Sequence, residues 1–272
     1  MHSNKPPQIM GILNVTPDSF SDGGHYADLE SAVTRAIQLI DHGADIIDIG
    51  GESTRPGSAS VSEQEQKRRV LGVIRELRQC IPATVPISID TTSSAVAEAA
   101  LDAGADWIND TSAGLDAPRM LPLAAERGVP IVLMHRQGMP VSMQDNPDYQ
   151  DVVAEVRTFL LERANAASEA GVIAQHILID PGIGFGKLKE HNLALLAGLN
   201  DLAVLGLPLL LGASRKRFMG SICGETEPAR LAPATCATTA QGVMAGVHVF
   251  RVHDVAENRQ AADVAWAILN AR

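Results

Sequence analysis

The chain has 272 residues, 46% of them hydrophobic and 20% charged, which supplies a large core and argues against a disordered protein. Its 22 basic and 32 acidic residues leave a formal net charge of -10, a balance that argues against nucleic acid, which is held chiefly by basic patches, and leaves a small anionic ligand open. The longest apolar runs, near 131–134 and 207–211, fall far short of the roughly 20 residues that span a bilayer, and the N-terminus carries no charged-then-apolar signal, so the chain is expected in the cytoplasm.

Residues 1–7 read as a flexible tail, and a first apolar run ends in Asn14. A helix is predicted next, because Leu29, Ala32, Val33, Ala36, Ile37 and Ile40 recur at three- and four-residue spacings while Glu30, Arg35, Gln38 and Asp41 take the other face. Asp28 can cap its start and Gly43 can take the left-handed position at its end. A strand at 46–49 follows at once and leads to Glu52. Ser62 and Glu65 have capping-box spacing for the second helix, and Pro82 stands between that helix and the run ending in Asp90. The phrase of helix, glycine and strand then returns at Gly104, Gly128, Gly171, Gly206 and Gly246, before runs ending in Asn109, His135, Asp180, Ser214 and the pair Arg251 and His253.

That repetition predicts an α/β fold, a single (β/α)8 barrel over residues 1–272, in preference to a doubly wound sheet. Such a barrel typically takes about 250 residues and gathers the C-terminal ends of its strands around one mouth. The polar strand ends would all meet there. The strand-to-helix links are the long ones, the longest being 16–27 and 53–61, and loops of that length usually carry function. Cys80, Cys223 and Cys236 share no metal or redox spacing and read as free thiols.

Several local motifs sit at these strand ends. MGILNVTPDSFSDGG at 10–24, GGESTRPG at 50–57, SIDT at 88–91, IND at 108–110, LMH at 133–135, DPGIGFGK at 180–187, SRK at 214–216 and RVHD at 251–254 occur in this order. Together they resemble the signatures of dihydropteroate synthase, over about residues 9–268. The resemblance implies a transferase of folate biosynthesis. Its reaction condenses para-aminobenzoate with (7,8-dihydropterin-6-yl)methyl diphosphate, giving 7,8-dihydropteroate and diphosphate, and sulfonamides are its inhibitors. It also implies Mg²⁺ and a homodimer.

The residues make sense of that chemistry in their own right. A pterin edge resembles a fused guanidine, from which a carboxylate can take two parallel hydrogen bonds. Asp90 and Asp180 are candidates, and Asn109 can both donate and accept. Arg55, Lys216, Arg217, Arg251 and His253 all follow strand ends in an acidic chain, and the loops after the last two barrel strands, with a helix N-terminus near Asp254, suit an anion. The resemblance places Asp90, Asn109, Asp180 and Lys216 on the pterin, and Asn14, Arg55, Arg251 and His253 on the diphosphate. It places Phe20, Thr54, Pro56, Phe185 and Ser214 around the aminobenzoate, and Asn14 and Asp22 on Mg²⁺. Asp22, Arg55, Lys216, Arg251 and His253 are then the residues expected to carry turnover.

Other readings are bland or fail. Asp18 reads as a turn residue after Pro17, His135 as a structural histidine, and Arg217 and Lys187 as solvated. The segment 182–187 lacks the serine or threonine of a nucleotide-phosphate loop, and Lys187 stands where a dinucleotide fingerprint needs glycine. The competing functions are a pterin-dependent methyltransfer domain, which has no need of a diphosphate apparatus, and a non-catalytic pterin-binding relative, which is expected to have lost a site residue.

Overall fold

The computed structural model describes residues 5–16, 24–52, 61–138 and 142–271. Eight strands alternate with helices: β1 (Gln8–Asn14), α1 (Gly24–Asp41), β2 (Ile46–Gly50), α2 (Glu63–Cys80), β3 (Ile87–Asp90), α3 (Ser94–Ala103), β4 (Trp107–Asp110), α4 (Met120–Arg127) and β5 (Ile131–Met134). The second half continues with α5 (Val152–Glu169), β6 (Ile177–Asp180), α6 (Lys189–Ala197), α7 (Leu199–Ala203), β7 (Leu210–Leu211), α8 (Arg217–Cys223), α9 (Ala232–Met244), β8 (Val249–Val252) and α10 (Val255–Asn270). All named pairings are parallel, in the order β6-β5-β4-β3-β2-β1-β8-β7, and a parallel bridge between Ile179 and Leu209 joins the two ends into the expected (β/α)8 barrel. Among the described residues no helix is long and apolar enough to cross a membrane.

The period of two along each strand decides what lies inside. Ile9, Ile47, Ile49, Ile87, Ile89 and Ile179 point outward into the layer shared with the helices, while Met10, Ile46, Val132, Leu178, Leu210 and Val249 fill the barrel interior with Trp107 packed against them. Two residues further along, four of these inward positions turn polar. Ile46 is followed by Asp48, Trp107 by Asn109, Leu178 by Asp180 and Val249 by Arg251. An apolar floor therefore lies beneath a polar layer at the mouth.

The helix ends behave as the glycine phrase predicts. Gly104 closes α3 at φ 114, and its N–H bonds back to Ala100 and Leu101. Four expectations need correction. Asp28 lies inside α1, which begins at Gly24, so it cannot cap that helix. Ser62 Oγ does accept from the Glu65 N–H at 3.3 Å, but the Glu65 carboxylate is taken by Arg68 and Arg69, so only half of the capping box forms. Pro7 is buried and its carbonyl accepts from Arg259 at 3.0 Å, so the expected tail does not extend through residue 7. The link 135–151 between β5 and α5 is also longer than either loop singled out from the sequence.

Candidate active site at the barrel mouth

Four inward residues form the centre. Arg251 Nε donates to Asp48 Oδ2 and Arg251 Nη2 to Asp90 Oδ2, both at 2.6 Å, while Asn109 Nδ2 donates to the same Asp48 oxygen at 3.1 Å. Asp48, Asp90 and Asn109 are buried. Burial works against the charge of Arg251, but the two carboxylates outweigh it and hold the guanidinium protonated. Asp90 is pushed up to about 7, first by burial, against the pull of Arg251 and with a further push from Asp48. Asp48 Oδ1, Ser88 Oγ and Asp90 Oδ1 are buried with no partner among the described residues.

Asp180 closes the next part of the ring. Its Oδ1 accepts the Gly182 N–H at 2.7 Å, and burial pushes its carboxyl up to about 6 although that hydrogen bond, Lys216, Arg251 and Lys187 pull it down. Gly182 has φ +66, and a Cβ there would stand 1.9 Å from the His135 carbonyl oxygen, so the turn requires glycine. The loop then curls over the site. Phe185 lies beneath Lys216, whose Nζ is 4.1 Å from the ring centroid.

Lys187 overturns its reading as a solvated residue. It is 2% exposed, and its Nζ meets His135 Nδ1 at 2.8 Å, the Phe185 carbonyl at 3.0 Å and the His135 carbonyl at 3.4 Å. Burial pushes it down to about 7. The physical reason is the glycine-rich turn, which folds the chain back so that Lys187 points under the loop. His135 is the structural histidine expected, packed edge-on against Phe159 and pushed down to about 3 by burial and by Lys187. Arg217 is exposed, as expected.

At the β7 and β8 ends, Ser214 Oγ lies 2.9 Å from His253 Nδ1 and accepts the His253 N–H at 3.1 Å. Arg215, which sequence reasoning passed over, adopts φ 55 and clasps Asp254 with Nε at 2.9 Å and Nη2 at 2.5 Å. The start of α10 therefore stands beside Arg251 and His253 with Asp254 already held by a cation. Asn14 ends β1 next to Asp90: a Cβ on Gly50 would be 3.6 Å from both Asn14 Oδ1 and Asp90 Cβ. Glu52 turns away, accepting from the Val61 N–H and from Gln66 Nε2 at 2.8 and 2.9 Å. Phe20, Asp22, Thr54, Arg55 and Pro56, with Asp18, lie outside the described residues.

Asp90, Asn109, Asp180, Lys216, Ser214, Arg251, His253, Asn14 and Phe185 thus all sit on one end of the barrel. Asp48 joins them from inside β2 and not from a strand end, so the strand-end pattern does not mark it. The available signal was an acidic residue inside the apolar run of β2, at the inward phase.

Residues 10–253 match the family described as pterin binding enzyme. The chain is 45% identical to a dihydropteroate synthase of Synechocystis sp. over 264 residues, covering 97% of this chain and 91% of that protein. A solved Xanthomonas albilineans dihydropteroate synthase with 4-aminobenzoic acid superposes with a TM-score of 0.91 at 45% identity, covering 98% of this chain and 94% of that one. A Yersinia pestis dihydropteroate synthase in a sulfonamide drug complex gives a TM-score of 0.90 at 41% identity, covering 99% and 98%.

Proposed function

The chain belongs to the dihydropteroate synthase family, and from that premise we propose that its barrel mouth joins para-aminobenzoate to (7,8-dihydropterin-6-yl)methyl diphosphate, releasing diphosphate. The observation that carries the reading is the buried polar layer, in which Asp90, Asn109, Asp180 and Arg251 project from four different strands into one space above an apolar floor.

Asp180 and Asp90 take the donor edge of the pterin, Asn109 takes its neighbouring edge, and Lys216 reaches the ring carbonyl and nitrogen. Arg251 uses Nε and Nη2 on carboxylates, which leaves Nη1 for a phosphate oxygen; His253, Asn14 and Arg55 complete the diphosphate site. Phe185 and Ser214, with Phe20, Thr54 and Pro56, form the aminobenzoate site. The C–O bond of the exocyclic methylene breaks first, its electron pair leaving with diphosphate. The arylamine nitrogen then forms the new C–N bond and gives up a proton to diphosphate or solvent. A dihydropterin spreads the developing positive charge over its ring, so the site has chiefly to stabilise the leaving anion and exclude water. An arylamine is neutral near pH 7, and no strong base is required.

Mg²⁺ takes few protein oxygens and keeps waters beside substrate phosphates. Asn14, with a hard amide oxygen at the end of β1 near Asp90, fits that donor set, and Asp22 is its proposed partner ligand. When bound, the ion would neutralise charge on the departing diphosphate. The protein works in the cytoplasm as a homodimer, and sulfonamides compete with para-aminobenzoate.

The test is direct: purified protein with the pterin diphosphate, para-aminobenzoate and Mg²⁺ should yield 7,8-dihydropteroate and diphosphate, and a sulfonamide should raise the KM for aminobenzoate without lowering kcat. No product under these conditions refutes the assignment.

A further inference from the structure

Asp48 does not face the mouth as Asp90 and Asp180 do, yet it holds two residues that do. One of its oxygens takes both Arg251 Nε at 2.6 Å and Asn109 Nδ2 at 3.1 Å, and the residue is 0% exposed. A carboxylate presents only acceptors. The nitrogen of the Asn109 amide must therefore face Asp48, which leaves its carbonyl oxygen on the far side, with no other hydrogen bond of that amide among the described residues. An amide is otherwise free to turn over, because oxygen and nitrogen are nearly the same size. Asp48 removes that freedom.

We infer that Asp48 is a positioning residue that selects the reduced dihydropterin over the oxidised pterin, by locking the Asn109 carbonyl toward the ring nitrogen that only the reduced ring protonates. The inference rests on the pterin reading above. In a 7,8-dihydropterin N1 is an acceptor and N8 carries a hydrogen; in the oxidised ring both are acceptors. An amide presenting its oxygen to N8 and its second N–H to N1 matches the reduced edge at both atoms. Against the oxidised edge the same oxygen meets a lone pair, and it cannot turn over without losing its bond to Asp48. A site whose Asn109 could rotate would accept either ring.

The experiment is calorimetric titration, without oxygen, of the protein with 6-hydroxymethyl-7,8-dihydropterin and with its oxidised counterpart. The wild type should prefer the reduced compound by about tenfold or more, the ratio that one mismatched buried hydrogen bond produces. Asp48→Leu keeps the outline of the side chain without an acceptor and should bring the preference to within about threefold. Asp48→Asn should restore it, since its carbonyl can take both donors while its amino group occupies the position of Oδ1, which has no partner. A purely structural Asp48 would lower both affinities together and leave the ratio alone, and that result overturns the inference. If Asp48→Leu does not fold, Asn109→Ala decides: a retained preference overturns the inference and a lost one supports it. Wild-type protein that binds neither compound refutes the pterin reading itself, whereas wild-type binding of both with equal affinity refutes only the role of Asp48.

Discussion

Asp180→Asn should weaken pterin binding and at the same time make the protein more stable. Asp180 is 4% exposed, and its carboxyl is held at about 6 against an ordinary 3.8, mainly by burial. The folded chain therefore keeps a proton on Asp180 up to about pH 6, whereas the unfolded chain releases it near 3.8. Stability is lost as pH rises through that window, and by neutral pH the loss reaches about 3 kcal/mol at most. An asparagine carries no such penalty and can still accept the Gly182 N–H through its carbonyl. Thermal melts at about pH 7.5 should show the variant several degrees above wild type, and the difference should shrink toward zero below about pH 4. Binding moves the other way. On the proposed placement the carboxylate takes two charge-assisted hydrogen bonds from the pterin edge, of which an amide offers only one acceptor, so calorimetry should show a loss of roughly tenfold to a hundredfold. The wild type should also bind pterin more weakly as pH falls through about 7 and then about 6, where Asp90 and Asp180 take up protons, and the variant should keep only the Asp90 part of that dependence. Unchanged pterin affinity, or a variant less stable than wild type at neutral pH, refutes the reasoning.

Three other changes test separate parts of the mouth. Arg251→Ala leaves Asp48 and Asp90 buried without their cation, so chemical denaturation should show a loss of about 3 to 5 kcal/mol, with kcat/KM collapsing; Arg251→Lys cannot reproduce the fork and should not restore activity. Gly182→Ala drives a Cβ to 1.9 Å from the His135 carbonyl oxygen at φ +66, which should cost about 4 kcal/mol or more, read as a lowered denaturation midpoint or as insoluble protein. Lys187→Met removes the donor that ties down the Phe185 carbonyl and should raise the KM for aminobenzoate about tenfold while pterin affinity stays within about threefold. If pterin and aminobenzoate affinities fall together, Lys187 supports the whole barrel instead of the loop.

The fold was legible because each of its units repeats one local rule. Apolar alternation gives the strand, the 3.6-residue period gives the helix, and glycine after the helix gives the return, as at Gly104 and Gly171. The polar strand ends follow from parallel direction alone, which is why Asp90, Asn109, Asp180 and Arg251 are legible without any knowledge of contacts. What escaped depends on contacts between distant segments. Lys187 looks like any surface lysine in its own neighbourhood, and only the packing of 182–187 against His135, 52 residues earlier, buries it. The partner of Arg215 is Asp254, 39 residues on, and no spacing rule announces it. Asp48 lies between these cases, since its phase on β2 pointed inward but its partners come from β4 and β8.

The same buried layer explains why a pterin suits this mouth better than most ligands of its size. Asp48, Asp90 and Asp180 face one guanidinium in Arg251, with Lys216 and Lys187 adding charge from the loops, and two carboxylate oxygens in the layer have no donor among the described residues. With Asp48 Oδ1 and Asp90 Oδ1 unpartnered among the described residues, the ionised layer has more acceptors than donors, and burial works against its charge by pushing Asp90 and Asp180 up. An anionic ring would worsen that imbalance, and an apolar ring would leave it buried and uncorrected. A neutral ring with a guanidine-like edge brings the missing donors, and its anionic group must then lie toward the rim, where Arg251, His253 and Asn14 end their strands. The substrate that satisfies both demands is donor-rich at one end and a phosphate ester at the other.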